Sequence, residues 1–274
     1  MDFEIPADLA AYLAELDQFI EREIRPLEQQ DDNIRFFDYR REDARTDWDR
    51  GGLPSREWEA LLAEAVRRAD AAGHYRYAFP AEYGGRDGTN LGMAVIREHL
   101  AGKGLGLHCD LQNEHMIVGN NVGLLLMLHY GTPEQRAEWT EELAAGRKGF
   151  AFGITEPAHG SDATYMETTA RRDEAGWLIN GEKTWNTGVH AASHDLIFAR
   201  TSGRPGDADG ITAFLTPVDS PGFTVEEYLW TFNMPTDHGH ISLADVRVPE
   251  SAICLLYTSP SPRDRTRSRM PSSA

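Results

Sequence analysis

Two rhythms of apolar and polar positions divide this chain near Lys148. Before it, apolar residues recur at the three- and four-residue steps of amphipathic helices; after it, short runs alternate between turn residues as strands do. The spacing of Leu9, Leu13, Leu16, Ile20, Ile24 and Leu27 predicts one helix over 6–30, with acids and arginines on the opposite face. Residues 31–54 are charged and aromatic without a clear period, and read as a long surface loop pinned by Phe36, Phe37, Tyr39 and Trp48. Ser55 is placed to cap a second helix carrying Trp58, Leu61, Leu62, Ala65 and Val66, which Gly73 closes. A turn-rich connector, 79–85, leads to helices expected over 90–100 and 108–130, the latter apolar nearly all round like a central buried helix. Thr132, Pro133 and Gln135 form a capping box for a helix that Gly146 ends, with Trp139 and Leu143 facing inward.

Strands are predicted near 150–155, 167–172, 177–180, 183–187, 195–201, 211–217, 223–228 and 240–248. Asn180-Gly181 between two of them is the strongest short hairpin signal in the chain. The fold class that follows is α+β and multidomain: an all-α helical domain over 1–148, then a β-barrel or sandwich domain over 149–253. Around Thr155-Glu156-Pro157 and Trp185-Asn186-Thr187, two strand ends, a small polar loop holding Ser161, a large aromatic and a hydroxyl make a cradle suited to a planar, hydrogen-bonding ligand.

Composition narrows the classes. A net charge of −17 argues against nucleic acid, whose phosphates want a basic surface. The two cysteines, Cys109 and Cys254, make no disulfide framework, and no apolar run is long enough to span a bilayer; a cytoplasmic protein is the plain expectation. Residues 254–274, rich in Ser, Pro and Arg, lack either period, and Cys254 to Asp264 resembles the translation of a transposon-end adapter used in making sequencing libraries. We therefore expect this stretch to be a non-native, disordered tail from read-through. Arg263, Arg265, Arg267 and Arg269 against Asp264 give it +3, leaving −17 − 3 = −20 for residues 1–253.

Several motifs carry less than they first suggest. Gly102-Lys103-Gly104-Leu105-Gly106 lacks a phosphate-loop spacing and reads as an inter-helix loop. His190 and His194 have metal-ligand spacing only on a helix, and strands flank them. Asp237-His238-Gly239-His240 puts two imidazoles on one strand face without an evident third ligand. No metal site is expected. Ser161 lies outside any nucleophile-elbow pattern.

Thr155-Glu156-Pro157 through Gly160-Ser161-Asp162, followed by Asn180-Gly181-Glu182-Lys183-Thr184-Trp185-Asn186-Thr187, resembles the acyl-CoA dehydrogenases. Phe79-Pro80 to Gly85, Tyr130 to Gln135, and Asp245 to Pro249 support the likeness in the family's order and roughly its spacing. The resemblance implies a helical domain, a middle β-domain and a C-terminal four-helix bundle that is absent here, with FAD between the last two. It further implies that Phe152, Gly153, Ile154 and Thr155 line the flavin and that Ser161 lies near the diphosphate and the bound acyl-CoA. Trp185 then packs on the ring system, with Asn186 beside it, and Thr187 bonds near N5. In that family a glutamate removes the α proton of the thioester while the β hydride passes to the flavin, and an electron-transfer flavoprotein takes the electrons. The glutamate lies beyond residue 253, so no catalytic residue is assigned, and the fragment itself is expected to be inactive. Homodimers or homotetramers of the full-length protein are implied. The alternatives are a flavin-dependent acyl-CoA oxidase of the same fold and a non-enzymatic acyl-CoA-binding or assembly protein. His159 and Asn186 depart from the smaller or apolar residues common in the family, and Asn186 is expected to be tolerated if only its backbone is used.

Overall fold

A computed structural model describes residues 4–110, 115–119, 122–231 and 234–256. The described residues form two units. One holds the chain to His129 together with Arg136–Gly149 and Trp230–Thr236; the other holds Tyr130–Gln135, Phe150–Leu229 and the residues from Asp237 onward. The expected order, helices and then sheet, is the one found.

In the first unit α1 (Ala7–Phe19) continues through a π turn at Ile20–Ile24 into α2 (Arg25–Gln29). Pro26 explains the widened turn, because its ring has no N–H and collides with the carbonyl one α-turn back. All six apolar stripe residues are buried, with Leu16, Ile20 and Ile24 fully so. Each such burial stabilises by about 1.5–3 kcal/mol. Residues 31–54 are more structured than a loop. A 3-10 segment (Gln30–Phe36) leads to α3 (Arg41–Arg45), and Thr46–Asp47 pairs with Leu53–Pro54. Tyr39, expected to pin this stretch, is 92% exposed, whereas Arg45 is buried. Its Nη1 lies 2.6 Å from Asp110 Oδ2, its Nε donates to the Phe36 carbonyl, and its guanidinium lies 4.3 Å from the Trp58 ring centre. The pair, not the aromatics alone, ties the segment down.

Ser55 caps α4 (Arg56–Ala71) by accepting from the Trp58 amide, and α5 (Asn90–Ala101) starts from a Thr89 cap. The helix expected over 108–130 is a correction. Cys109–Asp110 pairs with His115–Met116 in a short antiparallel bridge, and only α6 (Val122–Tyr130) is helical; 111–114, 120 and 121 lie outside the described residues. Leu107, Ile117 and Val118 are fully buried in turns and bends, so unbroken hydrophobicity signalled burial rather than a helix. Thr132 and Gln135 exchange capping bonds at the start of α7 (Pro133–Ala144), and Gln135 Nε2 also donates to the Ser251 and Ile253 carbonyls.

The second unit is one eight-stranded sheet. Its strands are β1 (Phe150–Gly153), β2 (Thr169–Asp173), β3 (Gly176–Thr187), β4 (His194–Arg200), β5 (Ile211–Pro217), β6 (Phe223–Thr231), β7 (Met234–Val248) and β8 (Ile253–Leu256). They lie in the order β6-β7-β3-β2-β4-β5-β8, with β1 parallel to β4. Ala151, Ile179, Ile197, Phe214, Ile241 and Val246 anchor its core. The Asn180-Gly181 hairpin is a second correction, because β3 runs straight through it. The turn falls instead at Glu174-Ala175, closed by the pair Asp173↔Gly176. Gly181 has φ +148, and a Cβ there would lie 2.4 Å from Thr168 Oγ1. Asn180 Nδ2 donates to Asp245 Oδ1 and its Oδ1 accepts from the Asp245 amide, beside a register shift in β7. Asparagine and glycine thus serve a close strand crossing and a bulge rather than a reversal. β8 extends past Cys254, where the tail was expected to begin, and Cys254 is buried. The remainder of the expected tail, 257–274, lies outside the described residues. Among the described residues no helix is long and apolar enough to cross a membrane.

Candidate active site

Strand β3 carries the centre of the site. Its pairing with β7 passes from Asn186↔Gly239 to Lys183↔Ile241, so Thr184 and Trp185 together oppose the single residue His240. That is a β-bulge, and Trp185 occupies it with φ +63. A bulky residue seldom takes this left-handed conformation, and strain of this kind gathers where a side chain must be aimed. The consequence is visible in burial: Trp185 is 48% exposed between buried Thr184 and Asn186, and Thr187 is exposed beyond them. The indole and the Thr187 hydroxyl therefore face the same way. Thr187 Oγ1 lies 2.9 Å from His238 Nδ1, and the His238 ring meets the Trp185 ring edge-on.

Beneath that exposed face lies a chain of buried polar groups. Glu156 and Lys183 form an ion pair at 2.9 Å, with Lys183 fully buried. The Glu156 carboxylate also accepts from the Glu167 and Thr168 amides, and Lys183 Nζ donates to the Ile154 carbonyl. Burial pushes the Glu156 carboxyl up, but Lys183 and the amide donors outweigh it and hold it below its ordinary value. Burial pulls the Lys183 ammonium down to about 8 against the attraction of Glu156. Next along, the fully buried Asn186 donates through Nδ2 to Asp195 Oδ2. Burial raises the Asp195 carboxyl to about 7, opposed by Asn186, Lys183 and the Gly153 amide. Gly153 is the lid of this cluster, since a Cβ there would stand 2.6 Å from Ile197 Cδ1 and 2.9 Å from Asn186 Nδ2.

The other expected site residues fall as follows. Phe152 is 39% exposed and tilts against Phe198. Ile154 and Phe198 line a mostly apolar cavity of about 160 Å³ with Ala163, Thr164, Met166 and Ile211. The Thr155 carbonyl accepts from the Thr184 amide, which joins the end of β1 to the bulge. Ser161 is exposed on the loop after Pro157, and His159 stacks on Tyr165. The sheet thus brings Gly153, Thr155, Trp185, Asn186 and Thr187 together, while Ser161 belongs to no ladder among the described residues. Sequence reasoning missed Glu156, Lys183 and Asp195, and took His238 only as a metal candidate. A charged residue inside an alternating apolar run was the available sign for Lys183. Among the described residues no group of three His, Cys, Asp or Glu side chains is placed to hold a metal ion.

The N-terminal domain model of the acyl-CoA dehydrogenases matches residues 7–147, and the middle-domain model matches residues 151–246. The chain belongs to the acyl-CoA dehydrogenase family. It is 32% identical over 194 residues to the human mitochondrial short-chain specific acyl-CoA dehydrogenase, covering 70% of this chain and 45% of that protein. With acyl-CoA dehydrogenase FadE12 of Mycobacterium tuberculosis it shares 29% identity over 191 residues, or 70% of this chain and 48% of the other. A glutaryl-CoA dehydrogenase from Mycobacterium smegmatis, solved in complex with FADH2, superimposes with a TM-score of 0.64 at 26% identity over 92% of this chain and 56% of that one. The chain spans about half the length of the curated relatives it matches. Membership agrees with the likeness read from the Thr155–Asp162 and Asn180–Thr187 segments, and with the helix-then-sheet order of the acyl-CoA dehydrogenases.

Proposed function

We propose that this chain supplies the helical and β portions of an FAD-dependent acyl-CoA dehydrogenase, an oxidoreductase that forms an α,β double bond in an acyl-CoA thioester. The observation that carries the reading is Trp185, held left-handed in a bulge so that its indole and the Thr187 hydroxyl share one exposed face. Such a pair fits a flat, hydrogen-bonding ring system, with a broad aromatic surface and a donor at its edge. The chemistry of the donor set is compatible with a flavin: Trp185, Phe152 and Ile154 offer apolar contact, and Thr187 and Thr155 offer hydroxyls and main-chain groups. FAD, when bound, would accept the hydride.

The role left to this chain is to bind and orient. Trp185 would cover one face of the ring system and exclude water from it. Thr187 would donate to the rim where negative charge develops on reduction, which stabilises the reduced form. Gly153 and Asn186 would act from below, fixing the backbone that carries both. Ser161 would meet the cofactor diphosphate or the acyl-CoA through its exposed hydroxyl. No residue of the chain is assigned as the base that takes the α proton. We accordingly expect no turnover of an acyl-CoA by the 274-residue chain alone, and electron-transfer flavoprotein as the acceptor for the full-length enzyme.

Equilibrium dialysis of the chain against FAD, followed at the flavin absorption band, tests the reading. Saturable binding that Trp185→Ala weakens at least about tenfold, the loss of roughly 1.4 kcal/mol, supports it. Absence of saturable binding, or binding indifferent to Trp185, overturns it.

A further inference from the structure

We propose that His238 is a positioning residue for the cofactor rim, acting through Thr187; the inference rests on the flavin reading given above. Two separate contacts lead to it. The Thr187 hydroxyl lies 2.9 Å from His238 Nδ1, and the same imidazole stands against the Trp185 ring with centroids 6.1 Å apart. One side chain on β7 therefore touches both β3 residues that form the exposed face.

The local backbone holds that side chain in place. Thr187 and His238 are direct partners in the β3–β7 ladder, and the Gly188 amide donates to the Asp237 carbonyl at 2.7 Å. Gly239 then closes onto Val189, where a Cβ would stand 2.5 Å from Cγ1, so no side chain intrudes between the two histidines. His240 turns to other partners, Glu182 on β3 and Glu227 on β6. Glycine at 239 is thus required by close packing, which accounts for the Asp-His-Gly-His pattern without a metal.

A hydroxyl has one hydrogen and two lone pairs. If His238 Nδ1 carried no proton, Thr187 would spend its hydrogen on the imidazole and present only lone pairs outward. With a proton on Nδ1 the imidazole donates, Thr187 accepts, and its own hydrogen is free for an acceptor on the exposed face. Asp237 Oδ1, an oxygen that can only accept when ionised, lies 3.4 Å from the same nitrogen, which suits the tautomer with a hydrogen on Nδ1. The groups facing His238 are thus Thr187 and Trp185 from β3 and Asp237 from its own strand. Together they set Thr187 as an outward donor.

The test uses the full 274-residue chain with FAD, reading affinity by dialysis and the flavin visible spectrum. Circular dichroism checks that each variant is folded. His238→Leu is expected to weaken FAD binding about five-fold, equivalent to one net hydrogen bond near 1 kcal/mol, and to shift the visible bands. Asparagine places an N–H donor where Nδ1 stands, so His238→Asn should restore both readouts; His238→Gln, whose donor reaches the Nε2 position, should not. The Asn and Gln variants decide the matter even if His238→Leu does not fold. If all three bind FAD with the parent's affinity and spectrum while Thr187→Ala does not, the role of His238 is overturned and the flavin reading stands. If the parent chain binds no FAD, the underlying reading falls and takes this proposal with it.

Discussion

Trp185 on β3 stands with Thr184 opposite the single residue His240 on β7, and it is Trp185 that takes the left-handed backbone, at φ +63. An L residue pays roughly 1–2 kcal/mol to sit there. Glycine does not. Trp185→Gly should therefore lie within about 1 kcal/mol of the parent in urea unfolding, because relief of strain offsets the lost indole contacts, while Trp185→Val should fall about 1–2 kcal/mol below the glycine variant. Equal losses for Gly and Val would mean that the bulge stores no strain.

Lys183 and Glu156 form a buried ion pair beneath the site. Removing one partner strands the other charge, so Lys183→Met should destabilise by about 3–5 kcal/mol. Replacing Glu156 as well, by Gln, should recover part of that loss, since the amide oxygen can still accept from the Glu167 and Thr168 amides. Urea denaturation across this double-mutant cycle measures the coupling, and additivity would deny it.

The Asp195 carboxyl gives a pH dependence of definite sign. Burial raises it from 3.8 to about 7 in the fold. Between those values the native state holds a proton that the unfolded chain has released. Stability from this group is fully present below 3.8 and is lost as pH rises through about 7. Asp195→Asn should flatten that part of the stability profile measured by thermal unfolding from pH 4 to pH 8. A slope unchanged in the variant would place the dependence elsewhere.

Gly181 and Gly188 both have positive φ but differ in their surroundings. An alanine Cβ at 181 would stand 2.4 Å from Thr168 Oγ1 and 2.7 Å from its Cα, whereas nothing lies within 4 Å at 188. Gly188→Ala should cost about 1 kcal/mol, the backbone effect alone, and Gly181→Ala should cost at least about 2 kcal/mol. Chemical denaturation of the two variants separates steric from conformational cost. If they are equally stable, the close approach of Thr168 is not limiting.

The sequence by itself determined the parts of this protein that depend on neighbours a few residues apart. The α1–α2 stripe, the Ser55 cap, the Thr132–Gln135 capping box and the β1, β4 and β5 strands follow from local spacing and local hydrogen bonding. The family motif was legible for the same reason, being written in short contiguous segments. Tertiary structure decided the rest. Asn180-Gly181 carries a hairpin signal, but Thr168 and Asp245 come from elsewhere in the sheet and make it a crossing. The apolar stretch around Leu107, Ile117 and Val118 needed only to be buried, and Asp110, the buried partner of Arg45, sits in a short strand rather than a helix. Trp185 owes its handedness to the register of β7, Lys183 and Asp195 owe their shifts to desolvation, and Glu156 owes its lowered carboxyl to Lys183 and the amides of a distant segment. Neither quantity is written in the nearby sequence, because each depends on which distant strand the fold lays alongside.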